Sequence, residues 1–63
     1  MTIKTWISCI GDTSEMFFSV RDGEWFTTSS KAELIDRFGD RIFKEVLINI
    51  VDLDVEICFF ITD

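Results

Sequence analysis

From residue 51 onward the chain alternates without a break. Val51, Leu53, Val55, Ile57, Phe59 and Ile61 stand on one side, and Asp52, Asp54, Glu56, Cys58, Phe60 and Thr62 on the other. Side chains of a strand point to opposite faces in turn, so period two over this length is a strand signature. One face of that strand is wholly apolar and has to be buried. The other opens with three carboxylates and closes on a thiol and a phenylalanine. Any fold of this chain must therefore contain a sheet whose two faces differ sharply.

The rest of the chain is read around that strand. In residues 15–28 the pair Asp22-Gly23 suits a two-residue turn with positive φ, between runs of β-prone residues. A hairpin closed there sets Arg21 opposite Glu24, Val20 opposite Trp25 and Phe18 opposite Thr27. Ser30 and Glu33 have the spacing of a capping box at a helix start. Apolar residues then fall at 34, 35, 38, 42, 43, 46, 47 and 50, a stripe at helical spacing that predicts one helix over residues 30–50. Phe38, Ile42 and Val46 would be buried in it, with Glu33–Arg37 and Asp40–Lys44 pairs on its outer side. A helix ending near Gly39, followed by a longer hairpin, is the alternative. Residues 2–10 are rich in β-branched and aromatic side chains and read as a first strand, ended by a turn at residues 11–14. The expected fold is α+β in one small domain over residues 1–63. Its order is β-β-β-α-β, a mostly antiparallel four-stranded sheet with one long helix on one face.

Composition bears on what such a fold can do. The 63 residues include no histidine, so a Ser-His-Asp triad, a Cys-His pair and a histidine metal site are excluded. Paired carboxylates need a concave pocket to act as acid and base, and a sheet with one helix offers little room for one. No catalytic residue is assigned, and the chain is read as non-enzymatic. Asp52, Asp54 and Glu56 lie about 6.7 Å apart along one strand face, too far for a compact cation cage. No metal and no cofactor is expected. Cys9 and Cys58 have no C-x-x-C spacing and read as reduced, buried hydrophobes of a cytoplasmic protein. No apolar run reaches the roughly 20 residues a membrane span requires.

Twelve acidic residues against six basic ones give a net charge of −6, which disfavours direct contact with nucleic-acid phosphates. Residues 31–49 are formally neutral, so the excess lies on the strands, turns and carboxyl terminus. With a single helix, the second sheet face stays uncovered. Phe17, Phe26 and Phe60 are expected there as an apolar patch bordered by Asp52, Asp54 and Glu56, and rimmed apolar patches mark interaction sites. The leading reading is an inhibitor or adaptor that docks this face on a basic partner surface, a nucleic-acid-binding protein included. In size and charge the chain is similar to small acidic proteins of bacterial viruses, anti-CRISPR inhibitors among them. A second reading takes the spacing of Asp52, Asp54 and Glu56, about 6.7 Å, as a match to phosphates on one strand, so that the carboxylate row mimics them inside a nucleic-acid channel. A third is a purely structural homodimer formed through the outer face or an edge.

Overall fold

A computed structural model of the chain describes residues 1–10 and 16–62, and the turn expected at residues 11–14 lies outside them. The described elements are α1 (Ile3–Ile7), β1 (Met16–Asp22), β2 (Glu24–Thr28), α2 (Lys31–Phe38), β3 (Glu45–Val51) and β4 (Asp54–Phe60). They make a small α+β fold with a four-stranded sheet in the order β2-β1-β4-β3. The sheet is mixed: β1 pairs antiparallel with β2 and β3 with β4, but the central strands β1 and β4 run parallel. The expected mostly antiparallel sheet with one long helix is thus corrected to a mixed sheet with two short helices.

The amino-terminal segment is helical, not a strand. Thr2 caps it, its side chain accepting the Thr5 N–H at 3.2 Å. Ile3, Trp6, Ile7 and Ile10 fall at the i, i+3, i+4, i+7 spacing of one helix face, and Ile3 and Ile7 are fully buried. The first free amides of α1 find partners outside it: Ile3 N–H donates to Arg41 O at 3.0 Å and Lys4 N–H to Gly39 O at 2.9 Å. At about 1.5 Å per residue, α2 spans only about 12 Å, and α1 fills the remaining cover of the sheet.

The long helix stops at Gly39. Its start follows the expected cap, with the Ser30 hydroxyl accepting the Glu33 N–H at 3.1 Å. The reciprocal half of the box is relayed through Thr28, whose hydroxyl donates to Glu33 at 2.6 Å and accepts from Ser30 N–H at 3.0 Å. Glu33 pairs with Arg37 as expected, and Asp40 pairs with Lys4 of α1 at 3.4 Å. Beyond Gly39 the run from Val46 to Val51 is β-branched at Val46, Ile48, Ile50 and Val51, and apolar at every position but Asn49. A helix would turn Ile48 away from the stripe, while a strand places Val46, Ile48 and Ile50 on one face together. Ile42, expected in the core, is 67% exposed in the connection before β3. Phe38 and Val46 are half-buried.

Gly39 is required by space. A Cβ there would collide with the carbonyl oxygen of Ile35, and the Gly39 carbonyl itself holds Lys4 of α1. Alanine ranks about 1 kcal/mol above glycine in helical backbone, so propensity alone favours Gly39→Ala. The packing predicts the opposite sign, a loss of about 1–3 kcal/mol from overpacking. A urea unfolding midpoint at or above wild type for this variant would refute the close approach.

The core lies between the helices and the sheet. Ile3, Ile7 and Leu34 pack on Phe18, Val20, Ile57 and Phe59, with Trp6 and Phe43 set edge-on to the Phe59 ring at 5.4 and 5.3 Å between centroids. The apolar odd residues of β4 face the helices, as their alternation demanded.

Candidate functional site: the open face of the sheet

Both helices lie on one face, and the other face carries the trough that concerns function. The β1–β2 register decides what lines it. Asp22 pairs with Glu24 across Gly23 alone, whose φ is +81°, so the turn is one residue shorter than the Asp22-Gly23 reading. The slip of one residue turns every side chain of β2 to the opposite face. Trp25 stands opposite Arg21 on the open face, and Phe26 stands opposite Val20 beneath the helices. There Phe26 packs on Phe38 at 5.4 Å and lies under the Arg37 guanidinium at 4.8 Å. Phe26 is therefore removed from the expected partner-binding patch, and Trp25 takes its place.

On the open face the strands line up in rows. Thr27, Ser19, Cys58 and Leu47 lie side by side across the four strands. Trp25, Arg21, Phe60 and Glu45 form the row to one side; Phe17, Glu56 and Asn49 form the row to the other. Between them is an open concavity of about 450 Å³ lined by Ser19, Trp25, Thr27, Leu47, Asn49, Glu56, Cys58 and Phe60. Its aromatic wall is Trp25 set edge-on to Phe60 at 5.4 Å, with the Arg21 guanidinium 5.7 Å from the Trp25 ring centre. Its acidic element is Glu56: the Ser19 hydroxyl donates to Oε2 at 2.8 Å and the Asn49 amide to Oε1 at 3.5 Å. Ser19 also meets Thr27 Oγ1 at 3.1 Å, so the carboxylate sits in a polar network reaching the far strand.

Of the residues expected to bind a partner, Phe17, Asp54, Glu56 and Phe60 share this face, with Phe17 and Phe60 half-buried. Asp52 does not belong to their row. It is the first residue of the two-residue turn between β3 and β4, at φ +56°, so the carboxylate row on β4 has two members. Aspartate is among the few non-glycine types that enter this backbone region readily. Among the described strand residues, Glu45 of β3 and Arg21 of β1 are the other charged groups of the face. Leu47 and Asn49 line the trough from β3, a place that a helix over residues 42–50 does not give them. The alternation of Val46, Ile48 and Ile50 with their odd neighbours was the signal that could have found them.

No protein-family model, no curated protein and no solved structure matches this chain. Its chemistry must be read from its own residues. The trough pairs a hydrogen-bonded carboxylate with an indole and a phenyl ring beside the Leu47 side chain. Such a site suits a cation carried on an apolar stem, the makeup of an arginine or lysine side chain.

Cys58 is buried in the floor, whereas Cys9, expected to be buried, is exposed at the end of α1 with its thiol toward the Thr5 carbonyl. Burial and, next, the Glu56 carboxylate push the Cys58 thiol above its ordinary pKa, while the Asn49 amide pulls the other way. It is a thiol at neutral pH and no nucleophile. Because its folded pKa is raised, its contribution to stability is complete below the unfolded value of about 8.5 and is lost as pH rises through the folded one. With no tyrosine in the chain, a fall in melting temperature above about pH 9 is expected to be smaller in Cys58→Val. Equal alkaline slopes for the two proteins would assign the fall to another group.

Proposed function

We propose that this chain is a small non-enzymatic interaction protein, an inhibitor or adaptor, that docks the open face of its sheet on a basic surface of a partner protein. The observation that carries this reading is the trough itself: Trp25 of β2 and Glu56 and Phe60 of β4 come together on a face that no described element covers. A net charge of −6 adds long-range attraction to a basic partner and repulsion from nucleic acid. Among the described residues no helix is long and apolar enough to cross a membrane, and no cluster of three or more metal-ligating side chains forms. A cytoplasmic setting with reduced cysteines is part of the same proposal. The phosphate-mimic reading loses support, because Asp52 leaves the row and only Asp54 and Glu56 remain in phase.

The test is quantitative capture from a lysate at low and high salt, with wild type, Glu56→Gln and Trp25→Ala as baits. A basic protein held by wild type, released by salt and held less by both variants is the expected outcome. Glu56→Gln should slow association and weaken its salt dependence, since long-range steering falls off with screening. Identical retained proteins on all three baits would overturn the docking reading.

A further inference from the structure

We infer that β3 is a self-pairing edge, and that two copies of this chain join their sheets through it in one defined register. Edge strands of soluble proteins are usually short, charged, interrupted by proline or covered. β3 has none of these protections. It is seven residues long, EVLINIV, with its one charge at the first position and no proline, and among the described residues it pairs only with β4. Ile48 is 59% and Ile50 80% exposed on the helix side of the sheet, and Leu47 and Val51 are exposed on the open face.

The backbone directions fix the register. Phe60 O accepts the Lys44 N–H at 2.8 Å, so Phe60 turns its backbone toward β3, while Ile61 N–H donates to Arg21 O at 2.9 Å, toward β1. Both polar groups of a strand residue point to the same side and alternate along the chain. Asp54, Glu56, Cys58 and Phe60 therefore spend theirs on β3, and their partners Val51, Asn49, Leu47 and Glu45 spend theirs on β4. Val46, Ile48 and Ile50 are left with N–H and C=O directed out of the sheet.

A second copy running antiparallel about a two-fold axis at Ile48 sets Ile48 opposite Ile48 and Val46 opposite Ile50. This register matches every outward residue with another, giving roughly six N–H···O bonds. Shifting by one or two residues strands Ile50 against Lys44 or Val46 against the turn at Asp52. The chosen register is also complementary in charge: Lys44, just before β3, comes opposite Asp52 of the second copy at each end. On the helix side Val46, Ile48 and Ile50 of the two copies join into one apolar strip. On the open face Leu47 meets Asn49 of the second copy, so the two troughs become neighbours on one continuous sheet. The occupant of this edge is a second copy of the chain, and a strand from an unrelated protein is the competing outcome.

Sedimentation of the purified chain from about 10 to about 500 μM tests this, since a dimer's population rises with protomer concentration. A species of twice 7.3 kDa is expected at the upper end, favoured by added salt because two chains of charge −6 repel at low salt. Ile48→Lys, which sets like charges together on the axis, should shift it to 7.3 kDa with unchanged circular dichroism. Should that variant misfold, amide exchange of wild type decides: Val46, Ile48 and Ile50 should exchange at least ten-fold more slowly at the upper concentration than at the lower. A wild type that stays monomeric, a dimer untouched by Ile48→Lys, or exchange independent of concentration would each overturn the inference. Trp25→Ala should leave the dimer intact and Ile48→Lys should leave partner capture intact, so failure here is distinct from failure of the docking proposal.

Discussion

Replacing Phe59 by alanine should cost about 3–5 kcal/mol, enough to leave much of the protein unfolded at room temperature. Phe59 is fully buried near the carboxyl end of β4, and two aromatic rings, Trp6 from α1 and Phe43 from the approach to β3, sit edge-on against it. The cavity left by its removal opens where α1, β1, β3 and β4 converge, so no single neighbour can move in to fill it. A chain of 63 residues holds a total stability of about 3–9 kcal/mol at the usual amount per residue, and one such loss consumes a large share. In a thermal melt the midpoint should fall by about 15 °C or more. A loss below about 1 kcal/mol in urea unfolding would show that Phe59 does not occupy the core as described.

Trp25→Ala should have the opposite profile, with a small cost to folding and a large one to binding. The indole is 51% exposed and its main packing partner is the half-buried Phe60 ring, a contact worth about 0.5–1.5 kcal/mol. In a docked complex the same ring forms the wall of the trough and loses its remaining contact with water. Buried tryptophans are the commonest binding hot spots, with truncation costing about 2 kcal/mol or more, a loss of about thirty-fold in affinity. That loss should appear mainly as faster dissociation, in contrast to the slower association expected of Glu56→Gln. Phe26→Ala is the control on the other face, because Phe26 stacks between Phe38 and Arg37 beneath the helices. It should reduce stability and leave the dissociation rate of the folded fraction unchanged. If Trp25→Ala bound its captured partner with wild-type kinetics, the trough would not be the docking surface.

Where the local pattern had one interpretation, the sequence was enough. The alternation read from Val51 onward gave β4 over Asp54–Phe60, its buried odd face and its Asp54, Glu56, Cys58, Phe60 face, but Val51 belongs to β3 and Leu53, 87% exposed, to the turn before β4. Ser30 announced the start of α2, because a hydroxyl three residues before a free amide satisfies it in any context. Elsewhere the pattern was degenerate. The apolar positions of residues 42–50 fit both periods, and the β-branched run from Val46 to Val51 took the strand, with the helix ending at Phe38. Residues 2–10 have strand composition but helical spacing; burial of Ile3 and Ile7 across the sheet outweighed the propensity. The turn at Gly23 moved the register of β2 by one residue and exchanged Trp25 for Phe26 on the open face.

That exchange marks the boundary between what the chain states locally and what the fold decides. The sequence by itself determined that this protein has a sheet with one apolar and one acidic-aromatic face, an excess of negative charge, and no histidine chemistry. Only the tertiary structure decided which aromatic residues share the acidic face, that β1 and β4 lie parallel at its centre, and that β3 is left at an edge. The physical reason is that pairing and register depend on contacts between residues far apart in the chain. Trp25 meets Phe60, Ser19 meets Glu56, and Gly23 N–H donates to the Thr62 hydroxyl at 2.7 Å, none of which any local period encodes.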